Sequence, residues 1–172
     1  MKSSRDSVAA LTLEFARTSL EKDLGKIREC LRLLSPQDIW WRPNAASNSA
    51  GNLCLHLCGN MRQWIVSGLG GARDVRVRDK EFSERGPLPR AFLLRKLDRT
   101  VAEALRVIGR LAPADLTRKR IIQGFHVTGY GALAQVVAHF SHHTGQITYL
   151  TKLRQGRDLK LTRLPALPRK KG

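Results

Sequence analysis

The sequence predicts an all-α protein, an up-down four-helix bundle with a long connection between its second and third helices. Apolar residues recur every three or four positions in four separate segments, which is typical of amphipathic helices. The stretch between the second and third segments is long, polar and punctuated by glycine and proline. The chain has 172 residues, of which 42% are hydrophobic and 26% charged. One domain with one sizeable core is therefore expected.

The first two helices are expected on either side of a short loop. Helix one covers about 8–34, where its apolar stripe advances by steps of four and three residues through Leu20, Leu24, Ile27, Leu31 and Leu34. Residues 37–48 predict a loop with one helical turn, whose adjacent tryptophans pack onto the bundle. Helix two covers about 50–66, because Asn48 or Ser49 can cap it and a glycine cluster follows it.

The second half of the chain predicts two more helices. Residues 72–89 are interpreted as a connector that is too polar to be part of the core. Helix three is expected over about 90–111, closed by Pro113, and helix four over about 129–153, capped by Thr128. Between them, β-branched pairs around a glycine in 117–130 allow a short extended segment.

The chain is strongly basic, with 31 Lys and Arg against 14 Asp and Glu and a net charge of +17. We expect a bundle domain over 1–160 and a basic, flexible tail over 161–172. Such a tail either keeps the protein soluble or attracts polyanions without selecting one of them.

The sequence also favours a cytoplasmic protein with no membrane contact. Its apolar stretches are far shorter than the roughly 20 residues that span a bilayer, and the N-terminus lacks the uninterrupted apolar region of a secretory signal. Cys30, Cys54 and Cys58 are few and odd in number, so we interpret them as reduced packing residues.

Three of the five histidines are predicted to face the bundle interior. His56 lies in helix two on the same side as Leu53 and Leu57. His139 and His143 are four residues apart in helix four, which places their rings within about 40° of each other around the helix axis. Imidazoles from two helices can thus meet at one point.

Converging neutral imidazoles suit a divalent metal of borderline softness and leave one coordination position open. Cys54 and Cys58 are turned about 160° away from His56 and cannot readily close this site. The alternative is that each buried histidine is only hydrogen-bonded within the core, and spacing alone leaves both interpretations open. We interpret His142 as a surface residue or one that supports the site, and His126 as structural.

Four stretches carry a resemblance to a known family: Leu-Ser-Pro-Gln-Asp-Ile-Trp-Trp-Arg-Pro at 34–43, Asn-Ser-Ala-Gly-Asn-Leu-Cys-Leu-His-Leu at 48–57, Asn-Met-Arg-Gln-Trp at 60–64 and His-Phe-Ser-His-His-Thr-Gly-Gln at 139–146. Over about residues 10–160 the chain resembles the DinB superfamily, in the branch related to the YfiT-type thiol transferases. The resemblance implies a four-helix bundle, usually a homodimer, with zinc or nickel held by His56, His139 and His143. Many members carry an arginine after the last histidine, where this chain has Thr144.

Three classes of function follow from these observations together with the resemblance, which alone suggests thiol transfer. The first is a metal-dependent enzyme that transfers a low-molecular-weight thiol such as bacillithiol or mycothiol, or hydrolyses a small electrophile, with Asn60, Gln63 and Gln146 orienting ligands or substrate. The sequence names no general base, and no carboxylate has metalloprotease spacing. The second is a nucleic-acid or polyanion-binding protein that uses the basic surface and tail. A structural dimeric bundle without activity is a third alternative.

Overall fold

The computed structural model describes residues 4–161, which form a four-helix bundle with a small β-hairpin on one side. The long helices are α1 (Ser4–Leu33), α3 (Ala50–Met61, continued by a π-helical segment Arg62–Ser67), α5 (Arg90–Ile108) and α7 (Gly129–Gln155). The short elements are α2 (Pro36–Trp40), α4 (Arg78–Ser83), α6 (Pro113–Thr117), β1 (Lys119–Ile122) and β2 (Phe125–Thr128). The predicted all-α bundle is confirmed. Except for Leu161, the predicted basic tail lies outside the described residues.

The predicted apolar stripes form the core of the bundle. The five stripe residues from Leu20 to Leu34 are at most 5% exposed. The other helices contribute Leu53, Leu57, Leu97, Val101, Ile108, Leu133, Val136, Phe140 and Ile147, all of them buried. Within residues 4–161, no helix has the length and apolar character that crossing a membrane requires.

Helices α1 and α7 run in the same direction. Val8 and Tyr130 line one groove near the start of both helices, and at the other end Gln155 Nε2 donates a hydrogen bond to the Leu33 carbonyl at 3.0 Å. Helix α5 runs against them, since Arg28 in the second half of α1 binds Asp98 in the middle of α5 while Arg90, at the start of α5, reaches the carbonyl that follows α1.

Helices α3 and α5 are parallel to each other. Leu55 and Phe92 line one groove near the start of the two helices, and further along Arg62 pairs with Glu103. The helices α1, α3, α5 and α7 therefore run up, down, down and up. This order adds the direction of each helix to the up-down bundle that the sequence predicts. Two parallel helices need a return crossover between them, and this explains the long connection over residues 68–89.

The extended segment expected before the last helix is an antiparallel hairpin. Strands β1 and β2 pair Lys119 with Thr128 and Ile122 with Phe125. Gln123 and Gly124, at the turn, have positive φ angles of 55° and 80°. The buried Ile122 attaches the hairpin to the bundle beside the π-helical segment.

The connector between α3 and α5 is more than the polar link that its composition predicts. It contains α4, and the side chains of Arg76 and Glu81 are only 4% and 9% exposed. The expectation that this stretch is too polar to be part of the core is therefore wrong for these two residues. Because their charges neutralise each other, both can be buried against α3.

Candidate metal centre

Helix α3 places His56 inside the bundle, where the residue is 6% exposed. The helix begins with a capping box: the Ser49 hydroxyl accepts a hydrogen bond from the Asn52 backbone, and the Asn52 side chain accepts one from the Ser49 backbone. Every residue from Ala50 to Cys58 is buried, so His56 is held on all sides by packed neighbours. Its ring lies 4.7 Å, centroid to centroid, from the ring of Phe82 in α4.

Helix α7 brings two further imidazoles to the same point. His139 Nε2 lies 2.8 Å from His56 Nε2. The centroid of the His143 ring is 5.0 Å from that of His56 and 4.4 Å from that of His139. One ring nitrogen from each of the three residues falls within 4.8 Å of the others. The convergence expected from helical phase is therefore observed.

Hydrogen bonds to the outer nitrogens indicate which nitrogens face inward. His56 Nδ1 lies 2.9 Å from Glu81 Oε2, and His143 Nδ1 lies 2.6 Å from Gln146 Oε1. A carboxylate and an amide oxygen can only accept, so both Nδ1 atoms carry the proton. The Nε2 atoms of His56 and His143 then keep their lone pairs for a ligand.

The environment favours neutral histidines. Burial, followed by repulsion from His143 and His56, lowers the pKa of His139 to about 4. Burial is also the main cause that lowers the pKa of His143, and it outweighs the hydrogen bond to Gln146. At neutral pH these rings are uncharged, which is the form that binds metal ions.

Glu81 and Arg76 belong to this site, although sequence reasoning missed both. Arg76 Nε and Nη2 each lie 2.8 Å from a carboxylate oxygen of Glu81, a two-pronged ion pair. Burial raises the pKa of Glu81, but the hydrogen bonds from Arg76 and His56 outweigh it and hold the pKa below its ordinary value. The carboxylate is therefore charged where it meets His56.

The predicted supporting residues occupy different positions. Gln146 contacts His143 directly, whereas Gln63 Oε1 accepts from Arg76 Nη1 at 2.8 Å and so acts on His56 only through Arg76 and Glu81. Asn60 is buried on α3, and no side-chain hydrogen bond within the described residues joins it to the histidines. His142 is exposed, with its ring 5.1 Å from that of His143.

The remaining candidates lie away from the cluster. Cys54 and Cys58 are buried and are not among the groups that converge. Thr144 is 3% exposed and donates to the Phe140 carbonyl within α7, which directs its side chain into the helix. His126 is exposed on the hairpin.

The donor set fits a divalent ion. Three imidazoles whose ring nitrogens converge on one point are the ligand pattern of catalytic zinc sites, which keep one position open. Two of the rings also carry the outer hydrogen bond that usually accompanies metal-bound histidine. His56, His139 and His143 would hold the ion, and no cysteine is placed to close the site.

Comparison with known proteins agrees with this architecture. The sequence model of a family described as "Protein of unknown function (DUF1572)" matches residues 7–167. A DinB-like protein from Bacillus cereus ATCC 10987 has a similar structure, with a TM-score of 0.65 and 17% identity, covering 85% of this chain and 94% of that one. A DinB-like protein (YjoA) from Bacillus subtilis gives a TM-score of 0.63 and 18% identity, covering 87% and 94%.

These solved structures show a DinB-like fold, so the resemblance expected from the sequence is confirmed at the level of the fold. No curated protein matches the chain.

Proposed function

This chain belongs to the DUF1572 family of proteins of unknown function, and on that premise we propose that it is a divalent-metal-dependent enzyme acting on a small molecule. The metal is zinc or nickel, since the ligand type does not separate them. The reaction is transfer of a low-molecular-weight thiol, such as bacillithiol or mycothiol, or hydrolysis of a small electrophile. The protein works in the cytoplasm as a homodimer.

The convergence of His56, His139 and His143 is the observation that carries the proposal. Their ring nitrogens lie within 4.8 Å of one another. A bound divalent ion would act there as a Lewis acid, lowering the pKa of a thiol or water that reaches its open position.

This chain's own residues prepare the cluster for that chemistry. Gln146 and Glu81 orient the rings of His143 and His56 through their Nδ1 atoms. Burial lowers the pKa values of His139 and His143 and so favours their neutral form, and the partly buried setting strengthens electrostatic interactions inside the site. A structural zinc site would instead be closed by a fourth protein ligand, commonly cysteine.

Metal analysis of the purified protein tests the proposal. We expect close to one zinc or nickel ion per chain, lost in both His56→Ala and His139→Ala. His126→Ala is the matched control, because this exposed histidine of the hairpin should leave the metal content unchanged. Wild-type protein that remains metal-free after incubation with zinc and with nickel would overturn the proposal.

An activity assay then separates the two reaction types. Metal-loaded protein is mixed with a panel of low-molecular-weight thiols and a small electrophile, and consumption of the electrophile is followed with and without each thiol. Turnover that depends on one thiol identifies an S-transferase, whereas turnover without thiol identifies a hydrolase. Metal binding without either activity would favour the structural dimeric bundle.

Polyanion binding is the second candidate function, favoured by a basic groove between α3, α5 and the connector. This groove encloses about 640 Å³, and its lining carries six cations, among them Arg73, Lys80, Lys96 and Arg99, against four carboxylates, those of Asp74, Glu81, Glu84 and Glu103. None of these four cations forms an ion pair with another described residue. Phosphate contacts of this kind give affinity without sequence preference.

Gel-shift measurements with DNA at rising salt test this second candidate. Affinity that collapses between low and physiological salt and falls when Lys96 and Arg99 of the groove are replaced by glutamate would support it, and a further loss on removal of residues 161–172 would add the tail to the binding surface. Equal affinity at both salt concentrations would contradict a phosphate-driven interaction.

A further inference from the structure

We propose that Glu81, held by Arg76, is a positioning residue that fixes the tautomer of His56 and thereby presents its Nε2 lone pair to the metal. This inference rests on the proposed function, because it assigns a role toward the metal to residues of the connector. Glu81 is not one of the converging ligands, since it contacts the outer nitrogen of His56. Its action on the metal is therefore through His56.

The connector is anchored so that Glu81 reaches His56. Asn52 Nδ2 donates to the carbonyls of both Glu81 and Glu84 at 2.9 Å. Arg42 Nη2 donates to Asn52 Oδ1 at 2.8 Å and reaches the Phe82 carbonyl at 3.3 Å. These bonds fix the backbone of α4 against α3, on the helix that carries His56.

Helix α3 also provides space for the carboxylate. A Cβ atom added at Gly59 would lie 1.8 Å from Glu81 Oε1 and 3.0 Å from Arg76 Nε. Only glycine at this position allows the ion pair to lie against the helix, three residues from His56. The missing side chain at Gly59 therefore leaves the space on α3 that the Arg76–Glu81 ion pair fills.

The hydrogen-bond pattern around His56 Nδ1 selects one tautomer. Nδ1 lies 2.9 Å from Glu81 Oε2 and 3.2 Å from Arg76 Nη2. Arg76 Nη2 already donates to Glu81 Oε2 at 2.8 Å. A proton on Nδ1 gives the carboxylate a donor at 2.9 Å, whereas an unprotonated Nδ1 would face that charged oxygen lone pair to lone pair and keep only the longer 3.2 Å contact with Arg76 Nη2. The proton therefore resides on Nδ1 and leaves Nε2 free.

Arg76 makes the arrangement rigid. It holds Glu81 with two nitrogens, and its third, Nη1, donates to Gln63 Oε1 at 2.8 Å on the π-helical segment. Gln63 in turn donates to Asp74 at 2.7 Å. A carboxylate held in this way cannot swing away from Nδ1 without breaking a buried ion pair.

The test measures the tautomer and the metal affinity separately. Imidazole ¹⁵N shifts of the metal-free protein report which nitrogen of His56 carries the proton, and competition with a chelator gives the affinities for zinc and nickel. We expect wild-type His56 as the Nδ1–H tautomer. Glu81→Ala should mix the two tautomers and weaken metal binding about 10- to 100-fold, as loss of an outer carboxylate partner does elsewhere.

Two variants sharpen the comparison. Glu81→Gln keeps an oxygen acceptor for Nδ1–H and should restore the wild-type tautomer and part of the affinity. Asp79→Asn is the matched control, an exposed carboxylate on the same short helix that should change neither readout. If Glu81→Ala does not fold, Gly59→Ala replaces it, because the added methyl group displaces the carboxylate without removing its charge.

The outcomes separate this inference from the proposed function. An Nε2–H tautomer of His56 in the metal-free wild type, or wild-type affinity and tautomer in a folded variant that removes or displaces the Glu81 carboxylate, would overturn the positioning role. Wild-type protein that binds neither metal overturns the proposed function, while the tautomer of metal-free His56 still decides whether Glu81 positions that ring.

Discussion

The histidines of the cluster differ in how their outer nitrogens are held. His56 is fixed by a buried carboxylate from another element, whereas His143 is fixed by Gln146, an exposed amide one turn along its own helix. No side-chain hydrogen bond within the described residues reaches Nδ1 of His139, so packing and the 2.8 Å contact of its Nε2 with His56 Nε2 orient that ring. The cluster therefore has one strongly held ring, one weakly held ring and one ring positioned by its neighbours.

Replacement of Gln146 by alanine should weaken metal binding without changing the fold. The substitution removes the acceptor for His143 Nδ1–H at an exposed position, so the ring can rotate and its Nε2 is less well directed. We expect zinc affinity to fall about tenfold, the lower end of the range for such partners. Chelator competition measures the change, with Ser141→Ala, an exposed neighbour on α7, as the control. Unaltered affinity would mean that the hydrogen bond does not orient the ring.

The three cysteines are buried packing residues and not reactive thiols. Burial raises the pKa of Cys58 to about 12 and places that of Cys54 well above its ordinary value. Burial also raises the pKa of Cys30. Since the thiolate is the reactive form, any thiol used in the proposed transfer reaction comes from the substrate and not from the protein.

A thiol-specific disulfide reagent should therefore modify none of these residues in the native protein at pH 8. A pKa raised above the solution pH keeps the thiol protonated, and burial blocks the reagent as well. All three should react once the chain is unfolded in guanidinium, where thiols regain an ordinary pKa of about 8.5. Absorbance of the released reagent counts them. Rapid labelling of one thiol per native chain at pH 8 would contradict this expectation.

Among the structural elements, the junction of α3 with the connector depends on one side chain. Asn52 Oδ1 accepts from the Ser49 hydroxyl at 2.7 Å and from Arg42, while its Nδ2 donates to two carbonyls of the connector. The side chain is fully buried, and Ser49 and Glu81 are buried with it, so these two partners would lose their bonds without access to water. Asn52 therefore both begins α3 and anchors α4.

Replacement of Asn52 by leucine should destabilise the protein by about 2–4 kcal/mol, because several buried polar groups lose their partner at once. It should also weaken metal binding, since α4 and Glu81 are no longer anchored near His56. Urea unfolding gives the stability and chelator competition the affinity. Asn48→Ala, at the partly exposed neighbouring position, is the control for the loss of an asparagine near the start of α3. A loss below 1 kcal/mol would indicate that water replaces the missing bonds.

The parts of the site that follow helical periodicity could be predicted from the sequence, and the others could not. Phase along two helices selected His56, His139 and His143, because the direction of a side chain on a helix is a local property. Arg76 and Glu81 lie in a stretch without apolar periodicity, so their burial depends on a tertiary contact. Gly59 was the one sequence feature that could have predicted this contact. A glycine in an otherwise buried helix allows another segment to approach the helix closely, and here Glu81 and Arg76 do so.

The directions of the helices were likewise beyond sequence patterns. An amphipathic stripe says which face is buried but not which neighbour covers it. The length of the connection between α3 and α5 is compatible with antiparallel or parallel helices, and the two contacts that distinguish them, Leu55 near Phe92 and Arg62 with Glu103, are tertiary. The fold class was predictable because it needs only the number of stripes and their spacing.

For the whole molecule, the distribution of charge determines which surface can meet another copy. The chain carries a net charge of +17, yet from Gly129 to Thr151 it has no Asp, Glu, Lys or Arg. Beside this part of α7, the first half of α1 exposes Val8, Leu11 and Phe15 at 64–70%, and Tyr130 is 56% exposed. These side chains line an apolar groove of about 480 Å³ between the two helices.

We expect the homodimer of the proposed enzyme to form through this α1–α7 face. Two strongly basic molecules repel each other, so they can associate only where cations are absent and apolar surface is exposed. A polyanionic partner, in contrast, would bind the cations on the other side of the bundle. The two copies would meet in a symmetric arrangement in which each apolar groove covers the other.

Sedimentation velocity of wild-type and variant protein tests this interface. Phe15→Glu places a charge in the groove and should shift the protein to monomer, while Val75→Glu, an equally exposed apolar residue on the connector, should leave the dimer intact. Raising the salt concentration should strengthen wild-type association, because it screens the repulsion between the copies and favours apolar contact. A wild-type protein that is monomeric at all concentrations, or a dimer that salt dissociates, would show that this face does not join two copies.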